Sequence, residues 1–513
     1  MLVLTPQSEH WNNKAIEIWA DERIWGHRFH DEQTPWLVLL EFLAVFESRS
    51  REDQALEEPR IKGNHELIRY SIPKLEELRS LVFNNPRLHH IEKTVDSDVE
   101  KWRQWKDLVH GNYSWDYSYL EKRFGDFSKF VRILEFFQHT SLEPERNRRW
   151  TSKFVFPYGP SCIYADVREK GGYLESADRR FYARGGELLY LMFNRSDSAK
   201  DLAKHIKTKL LNSDERWNRL ALDLMPKKKK GDYIQTSVGY LPYERRQEYE
   251  NMAEDWLRLL NLKIPGTSIL DPLMRITALN MLLYIMKRSL EEIGESTEPC
   301  LILEIAAPRK TALFELSAEN YNQNRTLTRR ALQAHIDSIK KTDDWSKACG
   351  EKHPSQAVLQ LFKKRFNWKS KNISGNNRNP DRILEELMKV AQKRHKAHVA
   401  NVLPDWSRRI ALSVSRRRMG TWYSPDDALL KTLVMTVVEG REEYNRFLSK
   451  LYDRYCIVVG VAEAERAFGS LPTDERVLAE NAGRLEQRLR TLGLLHRLSD
   501  DCAYVINNFG GLQ

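Results

Sequence analysis

The stretch from Ile269 to Ile339 constrains the fold more than any other part of the chain. Asp271 reads as an N-cap with Pro272 at the first helical position, where the missing N–H would have had no partner anyway. Leu273, Met274, Ile276, Leu279, Leu282, Leu283 and Met286 recur at three- and four-residue steps, and Met281 and Ile285 fill the gaps between them. A helix apolar around so much of its circumference belongs between layers of protein. Gly294 ends it. The run from Cys300 to Ala306, stopped by Pro308, predicts a strand covered on both faces. A second helix follows, over about Ser317 to Ile339, carrying Arg325, Arg329 and Arg330, with Lys340 and Lys341 just beyond. Buried helix, strand and basic helix together point to a predominantly helical α+β body.

At 513 residues the chain exceeds what one ordinary core holds, so it is expected to be multidomain. Texture changes suggest five blocks: a helical, Trp-rich region over 1–145, a mixed α/β region over 146–260, and the central α+β core over 261–345. A basic helical segment over 346–425 follows, and then a helical region over 426–513 ending in a winged-helix-like module. Cys162, Cys300, Cys349, Cys456 and Cys502 lie far apart with no C-x-x-C pair, which argues against a zinc ribbon or disulfide framework and fits a reducing cytoplasm. The first residues lack the basic and apolar regions of a signal peptide. The apolar run at 273–286 is shorter than the roughly 20 residues that span a bilayer, so no membrane association is expected.

Charge is the strongest compositional clue. The whole chain carries a formal +10, and it is unevenly distributed. Between Leu361 and Gly420 sixteen Lys/Arg stand against four acids (Asp381, Glu385, Glu386, Asp405), a local surplus of twelve. Such a surplus is the electrostatic footprint of a phosphate-binding surface, since a merely solvated helix face usually interleaves acids. Lys363, Lys364, Arg365, Lys393, Arg394, Arg416, Arg417 and Arg418 are its candidate nucleic-acid contacts. The loop Lys227-Lys228-Lys229-Lys230 is a further candidate for phosphate contact.

The C-terminal residues hold a second binding signature. Thr473 caps a helix starting at Asp474, and a second helix over about Ala482 to Leu492 buries Leu485, Leu489 and Leu492. Its other face presents Arg484, Gln487 and Arg488 as candidate nucleic-acid contacts. Gly493 closes the helix as a left-handed cap. Leu494 to Leu498 and Cys502 to Ile506 then read as a hairpin across the turn Ser499-Asp500-Asp501. Helix, helix and two-stranded wing is the winged-helix order, in which the second helix enters the major groove. Upstream, Ser424 reads as a cap with Pro425 at N1 for the apolar helix from Leu429, and Glu443 to Tyr455 as a further helix.

Other patterns point to less. The aromatics between Tyr113 and Phe137, like Trp102, fall at helical spacing and read as core before base-stacking platforms. The runs 154–160 and 162–167 read as short strands, and Gly171-Gly172 and Gly185-Gly186 as turns. Neither glycine pair forms a phosphate-binding loop of known type. Gly63-Asn64-His65-Glu66 matches one fragment of a metallophosphatase motif without its partner clusters. His27, His30, Asp31, His89 and His90 lack a completing ligand set, so no metal is assigned. A metal-dependent nuclease needs two acids and a lysine converging at a strand end. Asp166, with Glu169-Lys170, and Glu304, with Lys310, are the residues that could supply them, although acid-any-lysine spacing is absent at Glu304.

Three stretches (DPLMRITAL at 271–279, WYSPDDALL at 422–430 and FLSKLYDRY at 447–455) resemble accessory proteins of multigene bacterial anti-phage systems of the methylation-associated defence type. The resemblance covers roughly the C-terminal half and supplies no catalytic residue. It implies a DNA-associated subunit working beside ATPase, methyltransferase or nuclease partners. The expectation is therefore a non-enzymatic, DNA-binding subunit of a prokaryotic defence complex, without a cofactor. A metal-dependent nuclease subunit and a protein-binding scaffold are the alternatives.

Overall fold

The computed structural model describes residues 3–4, 16–27, 29, 33–57, 60–61, 64–65, 67–83, 87–112, 116–140, 142, 154–165, 167–170, 173–177, 182–226, 233–305, 311–369, 379–499 and 502–510. The chain is predominantly helical, 64% helix against 9% strand, with a few small sheets. It folds into two compact units, and the chain passes between them more than once. One comprises 36–182 and 203–238, the other 1–35, 183–202 and 239–513. The five consecutive blocks expected from texture are therefore not how the chain divides. Composition marks where a segment changes character but not which distant segments share a core.

The smaller unit is built on aromatic packing. Trp102 and Trp105, on the helix Asp98–Asn112, pack against Phe127 and Phe130, on the helix Phe127–His139, with ring centroids between 5.0 and 6.5 Å apart. All four rings are buried. As expected, they are core. The helix Pro35–Arg51 begins at Pro35, behind Thr34. Arg69–Pro73 pairs antiparallel with Tyr233–Ser237, and Val167–Lys170 with Tyr173–Ala177. Among the described residues, the runs expected as strands over 154–160 and 162–167 form no named strand before Val167: Phe154 O and Phe156 N bond Leu142 and Thr140, and Val167 opens the pair with Tyr173–Ala177. Pro160–Cys162 is instead a 3-10 turn, as its proline suits.

The larger unit contains, in chain order, α1 (Asp21–Trp25), α2 (Gly185–Asn194), α3 (Gln247–Asn261), α4 (Gly266–Ile293), β1 (Leu301–Ile302) and α5 (Ala312–Asp337). There follow α6 (Asp343–Gly350), α7 (Pro354–Phe366), α8 (Pro380–Ala397), α9 (Val402–Arg409), and the hairpin β2 (Ser413–Arg416) with β3 (Gly420–Tyr423). The C-terminal part holds α10 (Asp427–Val437), β4 (Arg441–Glu443), α11 (Tyr444–Tyr455), β5 (Ile457–Val458), α12 (Val461–Phe468), α13 (Glu475–Thr491), β6 (Leu495–Ser499) and β7 (Cys502–Ile506).

The central helix α4 is buried on nearly every side, as its sequence requires, and Gly294 closes it in the left-handed region at φ 89°. It starts earlier than expected, with Pro265 as N-cap and Pro272 inside it. Asp271 is consequently not a cap, and its carboxylate accepts a 2.8 Å bond from Arg275, one turn on. Pro272, in the second turn, forgoes the bond that an N–H there would have made to Ser268 O. At 28 residues α4 is long and apolar enough to cross a bilayer, contrary to the shorter reading, but 89% of its apolar window is covered by protein. Gly185 and Gly186, read as a turn, open α2 instead.

The segment after α4 is extended and buried, but only Leu301 and Ile302 form a ladder, parallel to β5. Glu304 N bonds Tyr423 O of the hairpin at 2.9 Å, and side chains take several of the other backbone bonds. Asn320 accepts from Ile302 N (3.1 Å), Asn324 donates to Cys300 O (2.8 Å), and Ser317 donates to Ile302 O (2.7 Å). Asn481, fully buried on α13, accepts from Ile305 N and donates to Leu303 O and Val459 O, all within 2.9 Å. Periodicity sees the apolar run but not asparagines that replace a neighbouring strand.

At the C-terminus the strands are ordered β4-β7-β6, all antiparallel. The expected hairpin forms, with its turn at 500–501 outside the described residues. Where two helices were expected there is one, α13, capped by Asp474. Ala482 and Gly483 can continue a helix as readily as start one, and no cap residue stands before them. The helix over α10 is capped by Asp426, not Ser424, and Glu443 caps α11.

Candidate nucleic-acid interface

Helix α5 carries one seam of contacts at seven-residue steps. Phe314 packs edge-on to Trp422 of β3 (4.7 Å between centroids), and Tyr321 against Tyr423 (5.3 Å). Thr328 Oγ1 lies 3.2 Å from His395 Nε2 of α8, and the His335 ring meets Phe366 of α7 at 6.0 Å. Seven residues are close to two helical turns, so the four contacts fall on nearly one face and span about 30 Å. The basic window is thereby laid along α5 in reverse chain order: hairpin first, then α8, then the end of α7. A surplus that is compact in sequence becomes a linear array in space.

The charges on this array face water. Lys363 and Lys364 are exposed at the end of α7, and Lys389, Lys393 and Lys396 along α8, none with an ion-pair partner among the described residues. Arg365 is half-buried, close enough to Arg23 to oppose its charge. Helix α5 adds Arg325 and Arg329, exposed and four and eight residues beyond Tyr321 on the solvent edge of the seam. Arg408 of α9 joins them near Tyr321, although Asp405 holds it at 3.0 Å. Arg325 and Arg329 fall outside the basic window because they lie 36 and 32 residues upstream of its start at Leu361.

Arg416, Arg417 and Arg418 occupy the β2–β3 hairpin, not a helix as expected. β-branched and aromatic residues flank the turn, and Met419-Gly420 lets it close. All three are exposed. Arg416 lies over the Trp422 ring at 5.8 Å. Arg418 sits in the left-handed region at φ 68°, a conformation that usually selects Gly or Asn.

Three other candidates are engaged inside the fold. Arg394 points inward, donating to Ile18 O and to the buried Glu22 carboxylate. Beside it His395 Nδ1 lies 3.3 Å from Asp21, and burial pushes the Glu22 carboxyl up against the opposing pull of Arg394. On α13, Arg484 donates to Ile305 O at 3.1 Å, and Arg488 to Asp427 (2.7 Å) and Pro425 O (3.0 Å). They anchor the helix to the body. The reason is geometric: Arg484 lies three residues from Asn481 and Arg488 three from Leu485, on the margin of the buried face. Of the expected trio Gln487 alone is exposed, in a stripe with Arg476, Glu480, Gly483 and Arg490.

Glu304 is 5% exposed, and its Oε2 accepts a bond from Trp422 Nε1 at 3.1 Å. Asp166, Lys310, His30, Asp31, Gly63, Glu66, Gly171-Gly172 and Lys227–Lys230 lie outside the described residues. Among the described residues no three His, Cys, Asp or Glu side chains converge as a metal site would require. The five cysteines are free thiols. Burial pushes Cys162, Cys300 and Cys456 up to about 12, so these three are inert at neutral pH. Compared with protein-family models, with curated proteins and with solved structures, the chain matches none.

Proposed function

We propose that this protein is a non-enzymatic, DNA-associated subunit of a prokaryotic anti-phage defence complex, and that it holds duplex DNA by its backbone along α5. One observation carries the reading: exposed lysines and arginines of α5, α7, α8 and the β2–β3 hairpin, mostly without acidic partners, follow a single helix for about 30 Å. That length is close to one turn of B-form duplex, 34–36 Å. Backbone contacts of this kind supply affinity and salt dependence without reading sequence.

The C-terminal module supports a second, weaker contact. The winged-helix reading rests on β4, which pairs with the terminal hairpin, with α11, β5, α12 and α13 between them. Its exposed stripe offers Gln487, Arg476 and Arg490 to bases or phosphates, diluted by Glu480. The defence setting rests on the resemblance of the C-terminal half.

The test is fluorescence anisotropy of the full chain on a labelled duplex of about 20 base pairs over a range of salt. Binding should weaken linearly on a log–log plot, with a slope near −0.9 per neutralised phosphate. Lys363→Glu with Lys364→Glu should weaken it further at every salt concentration. Salt-insensitive binding, or none, would leave the protein-scaffold reading in its place.

A further inference from the structure

Away from the basic array, the larger unit has a crevice between α3, α4 and the end of α11. Its inner half holds about 340 Å³, within the range of small-molecule sites. An adjoining half of about 250 Å³ shares Asn251, Asp453 and Arg454 with it. The walls of the inner half are electrically settled: Lys287 bridges Glu248 (3.3 Å) and Glu298 (2.9 Å). What remains unpaired there is neutral and polar.

Asn280 is the telling residue. It is an amide in the middle of the apolar helix α4, only 5% exposed, and it lines the crevice. Its Nδ2 is fully used, donating to Asp255 (2.8 Å) and Ile276 O (3.0 Å), while its Oδ1 accepts nothing among the described residues. Asn251 is its complement. Its Oδ1 accepts from Gln247 (3.0 Å) and Arg454 (3.1 Å), and its amino group donates to nothing among the described residues. One open acceptor and one open donor thus share a crevice with the apolar walls of Leu283 and Pro299. The edge of a nucleobase carries the matching donor and acceptor on a planar, otherwise apolar ring.

The adjoining half is lined by three cations, Arg258, Lys450 and Arg454, and by one carboxylate, Asp453, which Arg466 already pairs. Arg454 spends its five N–H groups on Asp255, Glu254 and Asn251, so it fixes the Asn251 amide and has no hydrogen left for a ligand. Lys450 bonds Glu442, an acid that Arg446 shares at 3.2 Å, and keeps further N–H groups to donate. Arg258 donates to Thr436 O, and its nearest acid, the exposed Glu439, is 3.8 Å away. We propose that the crevice binds a nucleotide, its base between Asn280 and Asn251 and its phosphate against Arg258 and Lys450. The site is separate from the α5 array and serves a small ligand, not a polymer.

Calorimetry on the full chain with adenosine 5′-monophosphate, the other three ribonucleoside monophosphates, adenosine and inorganic phosphate tests this. At least one monophosphate should bind, with its nucleoside and phosphate alone each at least tenfold weaker. Lys450→Gln, at a half-exposed position where an amide can still donate to Glu442, should weaken the monophosphate at least tenfold and leave the nucleoside unchanged. Asn251→Leu should weaken both. Replacing Arg417 and Arg418 in the hairpin should alter neither, which separates this site from the DNA surface. Three results would overturn the proposal: no monophosphate binding at millimolar concentration, binding indifferent to both crevice variants, or phosphate binding as tightly as the nucleotide.

Discussion

Replacing Arg417 by Ser and Arg418 by Gly removes two charges from the hairpin tip without touching its packing. Both side chains are exposed and unpaired among the described residues, and Arg416, which lies over Trp422, is left in place. If both contact phosphate, the slope of log affinity against log salt should become shallower by about 1.8. Between 50 and 200 mM salt that difference corresponds to about twelvefold in relative affinity. Stability should move the other way. Relieving a non-glycine residue of the left-handed conformation at φ 68° should gain about 1 kcal/mol. Anisotropy titrations at four or more salt concentrations, with a thermal melt of each protein, separate the two effects. An unchanged slope with the fold intact would remove the hairpin from the interface. A lower melting temperature would mean that the arginines hold the turn together, and the argument from backbone strain would fail.

Four further outcomes follow from the packing. Arg488→Ala should lower stability by about 1.5–3 kcal/mol in chemical denaturation, because Asp427 and Pro425 O lose a charged donor; an unchanged midpoint would return Arg488 to the solvent face. Leu489→Ala, at a fully buried position, should cost about 2–5 kcal/mol by the same assay. Asn481→Leu should be worse tolerated than its volume suggests, since Ile305 N, Leu303 O and Val459 O each lose a partner at about 1–3 kcal/mol apiece; failure to express as folded protein is the expected reading. The last concerns pH. Burial works to raise the Glu248 carboxyl, but Arg246, 2.9 Å away, overrides this and holds it below 4.5. A carboxyl lowered by folding contributes stability above its unfolded pKa and loses it as pH falls through the folded value. Wild-type stability should therefore decline below about pH 4.5, and Arg246→Met should be less stable at pH 7 with a shallower decline, measured by urea midpoints at stepped pH.

Much of the helical framework was legible because its signals are local. The apolar circumference of α4, the cap at Gly294, the Thr34-Pro35 start and the C-terminal hairpin all follow from neighbours within a few residues. What escaped was the work done by distant partners. Nothing near Cys300 indicates that its extended segment would be bonded by Asn320, Asn324 and Asn481 in place of a strand. The interleaving of the two units escaped for the same reason, since 183–202 resembles its flanks in composition but packs elsewhere.

The basic array divides along the same line. Counting charges finds the surplus, because an excess of twelve within sixty residues cannot be neutralised by its own four acids. Counting could not say which arginines meet acids from elsewhere. Arg394 meets Glu22, more than three hundred residues away in sequence, and Arg488 meets Asp427. Helical phase gave a warning that was available. Arg484 and Arg488 stand three residues from Asn481 and Leu485 respectively, on the edge of the buried stripe, whereas Gln487 and Arg490 stand opposite. A long guanidinium at such an edge can bend inward and donate to buried carbonyls, so edge arginines serve as anchors as readily as readers. The lysines of α7 and α8, the α5 pair and the hairpin tip combine local surplus with a phase that keeps them in water. Those are the residues on which a DNA contact should be sought first.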